Sequence, residues 1–130
     1  MSTQVYAKTM ALLGRTHVQT LRCACNLVIS LLDFDDRYNE AETLLREQIP
    51  LAQQSIGCDH SITLKLESSL VNALHWDPAR TRGDLIQAER LCQDVLKRRR
   101  RVFGPANPTT QYSEQQLAEV REKLYPRVTE

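Results

Sequence analysis

Glycine and proline are scarce in this 130-residue chain, which contains four and five of them respectively. A many-stranded sheet needs such residues at most of its turns, so the composition argues against a β-rich fold. The chain also lacks an apolar run of about 18 residues, which a membrane-spanning helix requires, and the apolar core of a signal peptide. We therefore expect a cytoplasmic protein without membrane insertion, and an organelle reached through a removed transit peptide stays open as an alternative.

Neither positive nor negative charge dominates, because the formal net charge is only +1. Such a chain is not built to coat nucleic acid or a membrane. The one conspicuous charge run, Lys97–Arg101, has two interpretations. In the functional interpretation it is a localisation signal, or a patch for nucleic acid or an acidic protein. In the structural interpretation it is a solvated helix end, whose cations lie at the negative end of the helix dipole. We favour the helix end and expect some arginine stems to lie along the core, since five consecutive helical residues point in every direction.

Motifs for catalysis and metal binding are missing as well. There is no glycine-rich phosphate loop and no nucleophile elbow. Cys23 and Cys25 would diverge by roughly 200° on a helix, and no pair of zinc knuckles occurs, so we expect free thiols. The acidic stretch at residues 33–36 lacks the oxygen ladder and the terminal glutamate of a calcium loop. The sequence predicts no enzyme, no cofactor and no metal site.

Good helix formers dominate what is present: Leu, Ala, Glu, Gln and Arg. Hydrophobic residues make up 42% of the chain and charged residues 25%, as in ordinary globular domains. Apolar residues recur every three or four positions, which predicts amphipathic helices. The predicted inward faces are Leu21, Ala24, Leu27, Val28, Leu31 and Leu32; Tyr38, Ala41, Leu45, Ile49 and Ala52; Leu64, Leu70, Val71 and Leu74; and Leu85, Ala88, Leu91, Val95, Val102 and Phe103.

An internal repeat organises these helices. Residues 13–21 read LGRTHVQTL, residues 56–64 read IGCDHSITL, and a degraded copy at residues 103–110 reads FGPANPTT. A second motif, EAETL at residues 40–44, returns as QAERL at residues 87–91. The copies begin at residues 13, 56 and 103, and repeats with this spacing along the chain indicate stacked pairs of helices.

The repeat gives boundaries within a single domain. The second unit is longer than the first, and the extra residues fall in a stretch that reads as a loop. The predicted divisions of the domain 1–130 are a half unit at 3–13, unit one at 16–57, unit two at 59–104 with an enlarged loop at 75–83, and a capping helix at 107–125.

Residues at the predicted helix ends have capping chemistry. Asp84 is placed to cap the second helix of unit two, and Asn107 before Pro108 reads as an N-cap followed by proline at the first helical position. Gly57 and Gly104 follow the long helices and can take the left-handed conformation that ends a helix.

Two ring-bearing residue types admit both a functional and a structural role. His17 and His60 occupy equivalent positions in the repeat, and a catalytic pair would not recur once per unit, so we favour a structural role at the start of each first helix. Trp76, the only tryptophan, is either a binding hot spot or the side chain that closes a gap between two helices. We favour the second role.

These marks resemble the tetratricopeptide repeats of the kinesin light chain type. The resemblance covers about residues 10–118 and rests on the Leu-Gly-x-x-His and Thr-Leu marks, on Asn26-Leu27 and on the stretch from Arg37 to Glu42. It implies an all-α fold: antiparallel helix-turn-helix repeats in a short right-handed α-solenoid, with first helices lining a concave groove. The groove residues that it implies are Arg22, Asn26, Ile29, Lys65, Ser69, Asn72, Tyr112 and Gln116.

The resemblance implies a non-catalytic scaffold that binds a peptide or protein partner. Asn26 occupies the position that typically bonds a peptide backbone in such repeats, and Arg22 and Lys65 would suit an acidic peptide. An alternative is a structural subunit docked in a larger assembly through its open N-terminal face, because an array of two and a half units is short.

Overall fold

The computed structural model describes residues 6–8, 11, 12, 14, 18–33 and 37–126. Within these residues every regular element is helical and no strand occurs, which confirms the predicted all-α class. Residues 6–8 and 11–12 are helical, and the five longer helices are α1 (Val18–Asp33), α2 (Tyr38–Ser55), α3 (Ser61–Trp76), α4 (Arg82–Phe103) and α5 (Pro108–Leu124). The predictions for His17, for part of the half unit at 3–13 and for residues 34–36 lie outside the described residues.

The helices form two layers. Each helix packs against the next one along the chain, and α3 also packs against both α1 and α5. The ends of α4 and α5 show that neighbours run antiparallel: Arg82 donates to the Leu124 carbonyl at one end, and Arg99 donates to the Thr109 carbonyl at the other. The backbones of α1 and α3, and of α3 and α5, approach each other more closely than those of α2 and α4, so the helices lie closer together on the side of α1, α3 and α5.

The core lies between these layers, as the apolar spacing predicts. All the predicted inward residues of α1 and α3 are buried, and those of α2 are buried except Tyr38, which is half-buried. Fully buried Leu21, Leu45 and Val71 belong to three successive helices of one cluster. Burial of such side chains contributes about 1.5–3 kcal/mol each, so this shared core holds the repeats in register.

The prediction for the end of α4 was wrong at one position. Val102 was expected to face inward, but its side chain is 43% exposed. Arg98 and Arg99 take inward positions instead, at 9% and 4% exposure, as expected for some arginines of the run. Polar groups on α3 and α5 bond part of each guanidinium group: Glu67 accepts from Arg98, and the Ser113 hydroxyl accepts from Arg99.

The loop between α3 and α4 is shorter than the predicted stretch 75–83. It spans only residues 77–81, because a capping box begins α4 at Thr81. The Thr81 hydroxyl accepts from the Asp84 amide at 3.1 Å, and the Asp84 carboxylate accepts from the Thr81 amide at 2.9 Å. Thr81 is therefore the N-cap, and Asp84 is its reciprocal partner one turn later.

The predicted roles of residues at the starts of α3 and α5 are confirmed. Asn107 caps α5 by accepting from the Thr109 amide at 2.9 Å, with Pro108 at the first helical position. His60 caps α3 through Nδ1, which accepts from the Ile62 amide at 3.0 Å, so this histidine has the structural role expected of it. Its ring is held at the start of α3 by this bond.

Glycines end the two long helices with positive φ, as expected. Gly57 has φ of 96° and Gly104 has φ of 87°. The ψ of Gly104 is 163°, so its backbone is extended and lies outside the left-handed helical region that we expected. Gly57 also accepts a bond through its carbonyl from the hydroxyl of Thr63, a fully buried repeat threonine, at 2.8 Å. This bond fixes the glycine turn to the helix that follows it.

Candidate ligand-binding groove

A groove of about 750 Å³ runs along the layer of α1, α3 and α5. Its walls come from α1, α3, the end of α4 and the start of α5. Its volume falls within the range of about 300–1,000 Å³ that is typical of ligand sites. Because α1, α3 and α5 supply most of these walls, the groove lies on the face where the resemblance places binding residues.

Seven of the eight predicted site residues line this groove. They are Arg22, Asn26, Ile29, Lys65, Ser69, Asn72 and Tyr112. The eighth residue, Gln116, does not line it and is only 2% exposed. Its amide nitrogen donates to the Ser68 carbonyl at 3.0 Å and to Asn72 Oδ1 at 2.8 Å. Gln116 therefore supports the groove wall from behind.

The polar side chains in the groove differ in what remains available to a ligand. Asn26 is half-buried and makes no hydrogen bond with the part of the chain that the structure describes. Ser69 donates its hydroxyl to the Lys65 carbonyl at 2.9 Å. Asn72 donates to Tyr112 Oη at 2.9 Å and accepts from Gln116. Of these three polar groups, Asn26 is the one whose amide can bond a ligand without breaking an internal bond.

Arg22 and Lys65 give the groove two exposed cations on adjacent helices. Neither forms an ion pair with any residue in the described ranges. Both cations act electrostatically on the buried thiol of Cys25, which also lines the groove. Burial raises the pKa of Cys25 to about 11, and the two cations offset this only in part. Cys25 is thus a neutral thiol at ordinary pH, and it contributes an apolar surface rather than a nucleophile.

A buried polar network supports the groove behind Asn72. His75 is fully buried, and its Nε2 lies 3.2 Å from Asn72 Oδ1. Lys123 Nζ lies 2.9 Å from His75 Nδ1 and donates to the His75 carbonyl at 2.9 Å. Burial, with Lys123 and then Arg80, lowers the pKa of His75 to about 4. The imidazole is therefore neutral, with its proton on Nε2 facing Asn72.

Lys97–Arg101 is largely occupied by internal contacts. Arg98 lies 2.6 Å from Glu67 and 2.7 Å from Asp94. Burial lowers the pKa of Arg98, but the bonds and charges of these two carboxylates outweigh it and raise the pKa overall. The exposed Arg100 and Arg101 pair with Glu114 and Asp59. These contacts favour the structural interpretation of the run.

Several residues that line the groove were not among the predicted site residues. They are Trp76 at the end of α3, Arg99 and Phe103 at the end of α4, and Pro108 and Thr109 at the start of α5. Trp76 is half-buried, so it packs against the core and also presents a surface to the groove. Arg99 was hidden within the charge run. For Trp76 the hot-spot role was considered and the structural role was favoured, whereas the enrichment of arginine at binding hot spots was the signal that could have pointed to Arg99.

Two features are absent from the described residues. No group of three or more His, Cys, Asp or Glu side chains there could hold a metal ion. No helix in the same part of the chain is long and apolar enough to cross a membrane.

Comparison with known proteins adds a family similarity. Residues 79–109, which include all of α4 and the first residues of α5, match the family described as Tetratricopeptide repeat. No curated protein matches the chain. The match and the packing agree: the chain is an array of paired helices, and over α4 and the turn that follows it is similar to that repeat family.

Proposed function

We propose that this chain is a non-catalytic interaction module that binds an extended segment of a protein partner in the groove of α1, α3 and α5. Tetratricopeptide repeats are generally protein-interaction modules, and residues 79–109 are similar to one. The observation that carries the proposal is the meeting of Arg22, Asn26 and Lys65 in one groove, although they come from two different repeat units.

The chemistry of the groove supports a peptide ligand. An extended peptide presents unpaired backbone amides and carbonyls, and the Asn26 side chain offers both a donor and an acceptor. Apolar contacts come from Ile29, Trp76 and Phe103, which lie along the same groove. This combination of apolar walls with a few polar groups is common in recognition sites.

The charges of the groove support an acidic ligand. Arg22 and Lys65 extend from successive first helices and are exposed. Complementary charge increases association rates and selects against partners of the wrong sign. We therefore propose that the bound segment carries at least one acidic side chain.

Selection of peptides from a random display library on the purified chain would test the proposal. The affinity of a selected peptide is followed through Trp76 fluorescence, and the binding surface is mapped by changes in backbone amide resonances. We expect the changes to centre on Arg22, Asn26, Lys65 and Tyr112. Changes centred on the outer residues of α2 and α4, with the groove silent, would overturn the proposal.

A further inference from the structure

Arg99 is a buried cation at the end of the groove. Its side chain comes from α4, in the outer layer, yet it lines the groove and is only 4% exposed. Nη1 donates to the Thr109 carbonyl at 3.1 Å and to Ser113 Oγ at 2.7 Å. Nε is buried and has no hydrogen-bond partner. Nη2 has none within the described part of the chain either.

The charge of Arg99 is poorly compensated. The neighbouring Arg98 holds both Glu67 and Asp94, whereas Arg99 forms no ion pair with any described carboxylate. Buried charges in proteins are normally paired, because removing an ion from water is costly. Burial indeed lowers the pKa of Arg99. An anion that reached this guanidinium would replace the missing counterion.

The surroundings of Arg99 in the groove also favour an anion. The first residues of α5, Pro108 and Thr109, line the same end, and a helix N-terminus carries a partial positive charge. Lys65 adds a full positive charge to the groove. Phe103 and Tyr112 supply apolar surface beside them, where an electrostatic contact is less screened by water.

We infer that Arg99 forms an anion subsite for one carboxylate of the bound peptide. Because Nη1 is engaged by α5, the edge formed by Nε and Nη2 is left for two parallel bonds to a carboxylate. The inference deepens the proposed function and rests on it. It assigns anion recognition to the outer helix α4, in addition to the exposed cations of α1 and α3.

The test uses the folded wild-type chain and two probe peptides, acetyl-tetraglutamate amide and acetyl-tetraglutamine amide, at matched ionic strength. The readout is the Nε–H resonance of Arg99, assigned through Arg99→Lys. Arg98 is the matched internal control, because its Nε is also buried without a partner but its guanidinium is held by Glu67 outside the groove lining. We expect a saturable shift at Arg99 with tetraglutamate, little change at Arg98, and no shift with tetraglutamine.

Arg99→Lys keeps the charge and removes the two-pronged edge. We expect it to weaken tetraglutamate binding by about tenfold or more, because an ammonium group cannot make the two parallel bonds that a guanidinium edge makes to a carboxylate. Tetraglutamate could shift the amide resonance of Lys65 and quench the fluorescence of Trp76 while the Nε–H resonance of Arg99 does not move. In that case the subsite inference fails and the proposed groove function stands. A chain that does not bind tetraglutamate at all also overturns the inference, whereas the peptide selection decides the proposed function independently. If inorganic phosphate shifts the Nε–H resonance of Arg99 at lower concentrations than tetraglutamate does, the subsite binds phosphate and the carboxylate assignment is wrong.

Discussion

Arg98 and Glu67 join α4 to α3 through a buried ion pair in which Nη2 lies 2.6 Å from Oε1. The exposed fractions of the two side chains are 11% and 5%. Arg98 also donates to the Cys58 carbonyl at 2.7 Å, so one side chain ties the end of α4 to α3 and to the turn before it. The pair explains how an arginine fits at an inward position of the repeat.

Glu67→Gln should destabilise the fold, because it leaves the buried Arg98 without its closest counterion. Breaking a buried pair from one side costs about 3–5 kcal/mol, and the half-exposed Asp94 should keep the loss near the lower value. Urea unfolding measures this change. The control is Asp59→Asn, which breaks the exposed pair with Arg101 and should cost at most about 1 kcal/mol. Equal effects of the two substitutions would contradict this explanation.

Acidification should weaken the fold through His75. Its folded pKa is lowered to about 4 from an ordinary value of 6.5, so between these values the unfolded chain binds a proton that the folded chain does not. The contribution is complete above pH 6.5 and is lost as the pH falls towards 4, for a total of roughly 3 kcal/mol. Unfolding at a series of pH values should reveal this slope.

The slope should largely disappear in His75→Gln, whose amide can still donate to Asn72 and accept from Lys123. The control is His60→Asn, which keeps a side-chain cap on α3 and should retain the slope. A slope that survives His75→Gln unchanged would assign the acid sensitivity to other groups.

Two glycine substitutions should have opposite effects on stability. Gly104→Ala places a Cβ at φ 87° and ψ 163°, a region that suits only glycine, and should cost about 1–3 kcal/mol. Gly83→Ala lies in the first turn of α4, where an added Cβ would meet Thr81 Oγ1 at an ordinary 3.6 Å. It should stabilise the chain by about 0.4–1 kcal/mol. Thermal unfolding of both variants checks the signs, and destabilisation by Gly83→Ala would show that its first-turn geometry is more constrained.

Asn26→Ala should lower the affinity for the selected peptide by about fivefold to a hundredfold. The variant loses one bond to the peptide backbone and leaves that peptide group unpaired, at a cost of about 1–3 kcal/mol. Fluorescence titration gives the affinity, and circular dichroism should report unchanged helix content. The matched control is Gln93→Ala, an exposed amide on α4, which should bind normally. Equal affinities of the two variants would remove Asn26 from the site.

Local periodicity predicted the helices and most of their inward faces, because burial on one side of a helix repeats every three or four residues. It failed where partners distant in sequence decide burial. Arg98 and Arg99 face inward because of Glu67 and Ser113, which lie 31 and 14 positions away. Gln116 leaves the predicted groove because Ser68, 48 positions away, holds its amide. The register of the repeat carries no information about these bonds.

Repeat register also located most of the groove, since equivalent positions on α1 and α3 face the same side. It missed the end formed by Arg99 and Phe103, which belong to α4 in the outer layer. The long α4 reaches the start of α5 there, and only the three-dimensional packing reveals that its last turns enter the groove wall.

The central claim is that the first-helix groove binds the partner, and the charge reversal Arg22→Glu with Lys65→Glu tests it most directly. The control is Arg90→Glu with Lys97→Glu, on exposed positions of α4. Arg98 and Arg100 cannot serve as controls, because they are paired with Glu67 and Glu114. The measurement is the affinity of the selected peptide at low and high salt. We expect the groove reversal to weaken binding by about tenfold or more and to reduce its salt dependence, with the control unchanged. Lost binding in the control, with the groove variant intact, would contradict the claim.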